Sequence, residues 1–235
     1  MSVQLIKRNI NVHGMEGVHL APDDRVPGEK LPLLVFFHGY GADMHDLVGL
    51  APYFQIRAHI ICLQGSRSTP FGGRAWFDLA YLPSGELQFD ESQALQAGEN
   101  AAAVVNALLQ DENLPVSQLI VGGFSQGAAI AMLVSLLSPE KTNGVLVMSG
   151  RRPERMGQLI QDAAALGHFK VFVGHGIHDP TLPIMNGRNL QEFWRQLPVK
   201  LTYREYPMGH EINPQELADI NQWLQEFKQE KELTP

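Results

Sequence analysis

The sequence predicts an α/β protein with a mostly parallel β-sheet that is covered by helices on both faces. Short apolar or β-branched segments alternate with longer amphipathic segments from about residue 33 to the C-terminus. The strand-like segments are apolar almost throughout, which is typical of parallel strands buried on both faces. A chain of 235 residues with 44% hydrophobic residues can build one sizeable core. Because no linker divides the chain, we expect a single domain spanning residues 1–235.

Six strands are predicted, since each is a short run of apolar or β-branched residues that ends at Gly, Pro or polar residues. They cover residues 33–38, 59–63, 119–124, 144–149, 169–175 and 200–206. Residues 1–20 are predicted to add edge strands, with an antiparallel pair within residues 3–20.

Three helices are predicted from apolar residues at helical spacing: residues 92–109, 128–137 and 214–228. The last helix carries five apolar residues on one face, which are predicted to lie in the core: Leu217, Ile220, Trp223, Leu224 and Phe227.

Residues 64–90 are the least regular part of the chain and are predicted to form a long loop near the active site. Long loops in compact domains are usually functional or disordered. The aromatic residues Phe71, Trp76 and Phe77 favour a packed loop.

Composition disfavours several classes of partner. The chain has 25 acidic and 18 basic residues, a formal net charge of −7 and scattered basic residues, so nucleic acid is an unexpected partner. Cys62, the single cysteine, lies in an apolar run and is predicted to be a buried strand residue, which fits a reducing compartment. The N-terminus lacks the apolar stretch of a signal peptide, and no segment approaches the roughly 20 apolar residues of a membrane span. We therefore expect a cytoplasmic protein without a stable membrane anchor, and no sequence feature sets its oligomeric state.

The most informative motif is Gly-Phe-Ser-Gln-Gly at residues 123–127. It follows the apolar run 119–121 and precedes the helix-forming run 128–133, so it predicts a strand, a tight turn and a helix. A serine at the tip of such a turn has strained backbone angles, and flanking glycines avoid collisions with the adjoining strand and helix. Ser125 is therefore predicted to be presented as a nucleophile.

A serine nucleophile needs a base that takes its proton and an acid that orients the base. After this type of turn, the order along the chain is serine, acid, histidine. Asp179 and His210 each follow a predicted strand, so both should lie at the carboxyl edge of the sheet with Ser125. We predict these three as the catalytic residues, with His210 as general base and Asp179 as the orienting acid.

Two backbone N–H groups are predicted to stabilise the negative charge that forms on the substrate oxygen. One belongs to Gln126, directly after the nucleophile and at the start of the following helix. The other belongs to Tyr40, in the glycine-flanked turn His-Gly-Tyr-Gly at residues 38–41. His38 is expected to brace this turn.

A metal site is the alternative for part of this constellation. Imidazoles with a carboxylate suit zinc, and the chain offers such groups at His175, His178, Asp179 and His210. A metal site would leave the turn at Ser125 without a purpose, so we expect no metal and no cofactor.

With these residues in place, the sequence resembles the phospholipase/carboxylesterase family of α/β-hydrolases, which includes the acyl-protein thioesterases. The resemblance covers about residues 32–227 and rests on five motifs in the family's order. These are residues 38–43 (His-Gly-Tyr-Gly-Ala-Asp), 74–78 (Arg-Ala-Trp-Phe-Asp), 117–127 (Ser-Gln-Leu-Ile-Val-Gly-Gly-Phe-Ser-Gln-Gly), 175–180 (His-Gly-Ile-His-Asp-Pro) and 209–212 (Gly-His-Glu-Ile).

The resemblance implies the α/β-hydrolase fold and a serine esterase without a cofactor. It implies the same triad and the same two oxyanion donors, Tyr40 and Gln126, and an acyl-binding groove walled by the loop around Trp76 and Phe77. The chain departs from the thioesterase branch at three places. Tyr40 stands where leucine is common, residues 64–67 replace a proline-containing turn, and Arg151-Arg152-Pro153 follows Ser149-Gly150 where apolar residues are usual.

The expected function is a serine carboxylesterase that hydrolyses short- to medium-chain acyl esters, with acyl thioesters and lysophospholipids as further candidate substrates. Phe71, Trp76 and Phe77 are the predicted substrate-binding residues, because they offer apolar surface without a charged clamp. Two alternatives stay open. One is a hydrolase fold that only binds a ligand, with a vestigial triad. The other is a peptidase of the same fold, because the turn at Ser125 does not distinguish amide from ester cleavage.

Overall fold

The computed structural model describes residues 4–26, 28–81, 83 and 87–229. Parts of the predicted ranges lie outside the described residues: residues 1–3 of the edge segment, residues 82 and 84–86 of the loop 64–90, and residues 27 and 230–235 of the single domain.

The strands within the described residues are β1 (Leu5–Val12), β2 (Met15–Pro22), β3 (Leu31–Phe37), β4 (His59–Leu63), β5 (Arg67–Ser68), β6 (Arg74–Ala75), β7 (Leu79–Tyr81), β8 (Leu87–Phe89), β9 (Val116–Phe124), β10 (Thr142–Met148), β11 (Lys170–Gly176) and β12 (Lys200–Tyr206). The helices there are α1 (Glu91–Gln110), α2 (Gln126–Leu137), α3 (Met185–Arg195) and α4 (Pro214–Gln229), together with 3₁₀ segments at Leu47–Tyr53, Glu154–Leu159 and Ala163–Leu166.

Eight strands of the described chain form one sheet in the order β1-β2-β4-β3-β9-β10-β11-β12. Strands β1 and β2 pair antiparallel at one edge, β2 pairs antiparallel with β4, and the other neighbours are parallel. The predicted mostly parallel sheet is confirmed, and all six predicted strands form. Their ends differ from the predicted bounds by three residues at most, at the start of β9 (116 against 119). The parallel strands bring their carboxyl ends, and the loops that follow them, to one edge.

Helices cover both faces of the sheet, as predicted. Buried side chains of α1, α2 and α3 pack with one set of alternating strand residues, and those of α4 pack with the other set. Four of the five predicted core residues of α4 are buried and Leu217 packs against them partly buried, so this prediction is confirmed. Cys62 lies buried in β4, also as predicted, and burial raises the pKa of its thiol to about 12.

Helix α3 was not among the predicted helices. Its buried residues are Gly187, Leu190 and Trp194, which fall on one helical face. Its first turn lacks a capping signal, because the preceding residue is Ile184 and no side chain caps the helix. The pattern of Leu190 and Trp194 is the signal that identifies this helix.

The range 64–90 differs from the predicted irregular loop, since its described part contains two short hairpins, β5–β6 and β7–β8. The range is packed at Trp76 and Phe77, which are 2% and 0% exposed. It is not packed at Phe71, which is 99% exposed at the tip of the first hairpin. Among the described residues, no helix combines the length and apolar character that crossing a membrane requires.

Candidate active site

Ser125 stands between β9 and α2 with a strained backbone, φ 55° and ψ −116°. Its flanking glycines are needed for steric reasons. A Cβ at Gly123 would lie 2.2 Å from the carbonyl oxygen of Gly127, and a Cβ at Gly127 would lie 1.9 Å from the carbonyl oxygen of Phe37. The Ser125 N–H donates to the carbonyl of Met148 at 3.0 Å. The turn is therefore fixed against both neighbouring strands, and Ser125 lies at the carboxyl edge of the sheet.

The structure brings Ser125, Asp179 and His210 together in one row. Nδ1 of His210 donates to Oδ2 of Asp179 at 2.7 Å, because an ionised carboxylate only accepts. Nε2 of the same ring is then left to accept from the Ser125 hydroxyl, whose Oγ lies 2.8 Å away. This arrangement has the geometry of a nucleophile, a base and an orienting acid.

Asp179 is held as a carboxylate. Burial by itself raises the pKa of this group, but hydrogen bonds outweigh it and leave the pKa below its ordinary value. His210 donates one of these bonds, and the backbone N–H groups of Leu182 and Thr181 donate to Oδ1 at 2.8 and 2.9 Å. The negative charge therefore stays beside His210 over the neutral range of pH.

His175, one of the residues that the sequence offers for an alternative metal site, is hydrogen-bonded to the backbone. His175 lies 3.6 Å from Oδ2 of Asp179, but its Nε2 donates to the carbonyl of Leu182 at 2.7 Å. Burial lowers the pKa of His175, so the ring is neutral and packs against Asp179. Throughout the described ranges, no group of three or more His, Cys, Asp or Glu side chains is arranged to hold a metal ion.

The turn that carries Tyr40 lies beside Ser125. A Cβ at Gly39 would lie 3.5 Å from the Cβ of Ser125. The Tyr40 N–H donates to no partner among the described residues, while its neighbour Gly41 donates to the carbonyl of Arg74 at 2.8 Å. The Tyr40 amide is thus the one of these two neighbouring amides that is without a hydrogen-bond partner in the described part of the chain.

His38 braces this turn, as the sequence predicts. Its Nδ1 donates to the carbonyl of Gly39 at 2.7 Å, and its Nε2 accepts from the Gly65 N–H at 3.0 Å. Burial lowers the pKa of His38, which keeps the ring in the neutral form that both bonds require.

Gln126 contributes more than its backbone. As the first residue of α2, its N–H has no carbonyl partner within the helix. Its buried side chain accepts from the Trp76 N–H and donates to the Phe77 carbonyl, both at 2.8 Å. Sequence reasoning missed these two side-chain hydrogen bonds, although a polar residue at the start of an otherwise apolar helix is the signal for them.

The predicted substrate-binding residues need correction. Trp76 donates from Nε1 to the carbonyl of His38 at 2.9 Å and is buried against the turn. Phe77 is fully buried and packs on Phe89, with ring centroids 4.9 Å apart. Both side chains are therefore packed inside the protein beneath the site and do not line an acyl-binding groove. Phe71 is 99% exposed on a hairpin tip, so its side chain is left uncovered by the described part of the chain.

Comparison with known proteins identifies similar sequences and folds. A family model described as phospholipase/carboxylesterase matches residues 27–228. The acyl-protein thioesterase 1 of Cryptococcus neoformans is 27% identical over 220 residues, which cover 82% of this chain and 91% of that protein. The acyl-protein thioesterase 1 of Debaryomyces hansenii is 28% identical over 153 residues, and the match covers 63% of this chain and 65% of that protein, just under two thirds of its length.

Two solved structures show the same fold. The carboxylesterase of Mesorhizobium loti superposes with a TM-score of 0.75 at 20% identity, covering 93% of this chain and 98% of that one. The acyl-protein thioesterase 2 of Zea mays superposes with a TM-score of 0.70 at 23% identity, covering 86% of this chain and 96% of that one.

Proposed function

The chain belongs to the phospholipase/carboxylesterase family, and we propose that it is a serine hydrolase that cleaves carboxylic esters through an acyl-enzyme on Ser125. As a member of this family, the protein is a hydrolase of the carboxylesterase type. The observation that carries the serine mechanism is the row of two hydrogen bonds through His210, at 2.8 Å to Ser125 and 2.7 Å to Asp179.

The proposed reaction proceeds in two halves. Nε2 of His210 takes the proton of the Ser125 hydroxyl while Oγ bonds to the ester carbonyl carbon. The N–H groups of Tyr40 and Gln126 stabilise the resulting oxyanion. His210 then gives its proton to the leaving alcohol as the carbon–oxygen bond breaks, which leaves the acyl group on Ser125. In the second half, His210 activates a water that releases the carboxylic acid and restores the serine.

The substrates we propose are short- to medium-chain acyl esters, with acyl thioesters and lysophospholipids as further candidates. The relatives named acyl-protein thioesterase and carboxylesterase support both ester classes. Apolar surface at the edge that carries the triad comes from exposed side chains: Tyr40, Phe71, Ile177 and Met185 are 41%, 99%, 42% and 54% exposed. We propose these in place of the buried Trp76 and Phe77 as contacts for the acyl group.

A fluorophosphonate probe tests the proposed function, because it reacts with an activated serine. We expect labelling of the wild-type protein, none of Ser125→Ala, and normal labelling of Ser92→Ala, a control at an exposed position of α1. Hydrolysis of p-nitrophenyl butyrate should fall by about 10⁴-fold or more in Ser125→Ala. Unlabelled but folded wild-type protein would favour the ligand-binding alternative. Faster cleavage of peptide amides than of esters would favour the peptidase.

A further inference from the structure

Two adjacent arginines, Arg151 and Arg152, follow β10 and have no part in the proposed triad. Both guanidinium groups stack on phenyl rings at the same distance, 5.0 Å from the ring centroid. Arg151 stacks on Phe89 of β8, whereas Arg152 stacks on Phe193 of α3. The same chemistry therefore attaches this segment to two different parts of the fold.

Arg151 fastens the β7–β8 hairpin to the loop after β10. Its guanidinium donates to the carbonyl of Leu87 in addition to stacking on Phe89, and both of these residues belong to β8. Glu154 lies 3.8 Å from the guanidinium and supplies the opposite charge. The Arg151 side chain is only 17% exposed, so its contacts with Leu87 and Phe89 are largely shielded from solvent, whereas the Glu154 side chain is 74% exposed and its attraction to Arg151 is screened.

The segment that carries Arg151 is itself held in place. The carboxylate of Glu91, the first residue of α1, accepts from the backbone N–H of Glu154 at 3.1 Å and of Arg155 at 3.3 Å. These bonds tie the start of α1 to the residues just after Arg151. The backbone next to Arg151 is therefore held in place, which limits the movement of its guanidinium group.

A short series of contacts leads from Arg151 to the oxyanion donor. Phe89 packs on Phe77 at a centroid distance of 4.9 Å, and the Phe77 carbonyl accepts from Nε2 of Gln126 at 2.8 Å. Gln126 is the residue whose backbone N–H we propose as a donor to the oxyanion. A displacement of Phe89 would thus reach the donor through two contacts.

We propose that Arg151 is a positioning residue that sets the placement of Phe89 and Phe77 and, through them, of the Gln126 amide. The inference rests on the proposed function. The oxyanion exists only in the transition state and the intermediate, so misplacement of its donor lowers kcat more than it changes KM. A residue that merely supported the fold would change the melting temperature without this kinetic signature.

The test compares Arg151→Met with Arg152→Met. Methionine keeps the length and the apolar contact with the ring but removes the charge and the donors. On p-nitrophenyl butyrate we expect kcat of Arg151→Met to fall about tenfold with KM within about twofold, since small misplacements of catalytic groups are costly. Arg152→Met loses the same kind of cation contact with a ring, but on Phe193 of α3 and not on Phe89, and should stay within about twofold of wild type. Arg151→Lys, which keeps a cation and a donor, should recover part of the loss.

A double-mutant cycle with Phe89→Leu tests the route. If Arg151 acts through Phe89, Arg151→Met lowers kcat no further in the Phe89→Leu background, so the double variant matches Phe89→Leu alone. Additive losses, equal kcat for the two Met variants, or a change confined to KM would each overturn the proposal. Fluorophosphonate labelling separates the two proposals: unlabelled wild type refutes the serine mechanism, whereas labelled wild type with an unaffected Arg151→Met refutes only the positioning role.

Discussion

The side chain of Gln126 and the backbone of Trp76 are joined by a hydrogen bond of 2.8 Å across 50 residues of sequence. The Gln126 side-chain nitrogen also donates to the Phe77 carbonyl. The Gln126 side chain therefore satisfies one backbone donor and one backbone acceptor of residues 76–77, as a neighbouring β-strand does in a sheet. Trp76 in turn donates to the carbonyl of His38, at the start of the turn that carries Tyr40. Both proposed oxyanion donors are therefore anchored on one buried tryptophan.

Substitution Gln126→Leu should damage both stability and turnover. Leucine has a similar size but leaves the Trp76 N–H and the Phe77 carbonyl buried without partners, at a cost of about 1–3 kcal/mol each. We expect the free energy of unfolding in urea to fall by roughly 2–4 kcal/mol and kcat to fall with it. Gln96→Leu, at an exposed position of α1, is the control and should change stability by about 0.5 kcal/mol at most. Equal stability of the two variants would show that the hydrogen bonds from Gln126 to residues 76 and 77 do not stabilise the fold.

Substitution Asp179→Asn should abolish most activity while the fold persists. The amide oxygen can still accept from Leu182 and Thr181, but the amide cannot hold His210 in the tautomer that accepts the Ser125 proton. We expect kcat to fall about 10⁴-fold, measured by ester hydrolysis, with an unchanged circular dichroism spectrum. Asp219→Asn is the matched control, since Asp219 accepts from the Tyr206 hydroxyl away from the triad. A small effect at Asp179 would show that another group orients the base.

Substitution Gly127→Ala should prevent correct folding of the turn. The added Cβ would lie 1.9 Å from the carbonyl oxygen of Phe37 and 2.5 Å from that of His38, and backbone atoms cannot move aside cheaply. We expect a loss of more than about 4 kcal/mol, seen as insoluble protein or a collapse of the melting temperature. Gly49→Ala is the control, because its added Cβ would meet no atom within 4 Å among the described residues beyond its immediate neighbours in the chain. A well-folded, active Gly127→Ala would contradict the close approach of α2 to β3.

The sequence was sufficient to predict the sheet and the proximity of Ser125, Asp179 and His210, because each depends on local signals in a fixed order. The glycines at 123 and 127 have one steric explanation, and strands ending before Asp179 and His210 place both loops at one edge. The side chains of Ser125, Asp179 and His210 are in contact in the structure. Their catalytic roles stay predictions.

The sequence was insufficient where burial is decided by distant contacts. Trp76 and Phe77 lie in a segment without periodicity, so their direction depends on Gln126 and Phe89, which are far along the chain or across a hairpin. The same limit applies to Arg151, whose hairpin partners come about 64 residues earlier. In both cases the missing information is tertiary contact and not local propensity.

Glu216 is a buried carboxyl in the first turn of α4 with an unusual environment. It is 0% exposed, and neither carboxyl oxygen has a hydrogen-bond partner among the described residues. The group lies directly against Gly174, where a Cβ would meet Oε1 at 2.0 Å. Burial, with a smaller contribution from Asp219, raises the pKa of Glu216 from 4.5 to about 8. The group is therefore largely protonated in the folded protein at neutral pH.

This shift predicts a stability that falls as pH rises. Between pH 4.5 and about 8 the folded state keeps a proton that the unfolded state has lost, so Glu216 lowers the free energy of unfolding by about 1.4 kcal/mol for each pH unit in that window. Below pH 4.5 both states are protonated, and its contribution is fully present. Glu216→Gln has a similar shape but cannot ionise. Measured by urea unfolding from pH 5 to 9, its free energy of unfolding should decline less with pH than that of the wild type. Above pH 8 the variant should be the more stable protein, by a few kcal/mol at most. Glu99→Gln, at an exposed position of α1, should follow the wild-type profile. Parallel profiles for wild type and Glu216→Gln would mean that the carboxyl finds a partner or solvent in the folded protein, and the raised pKa would then be wrong.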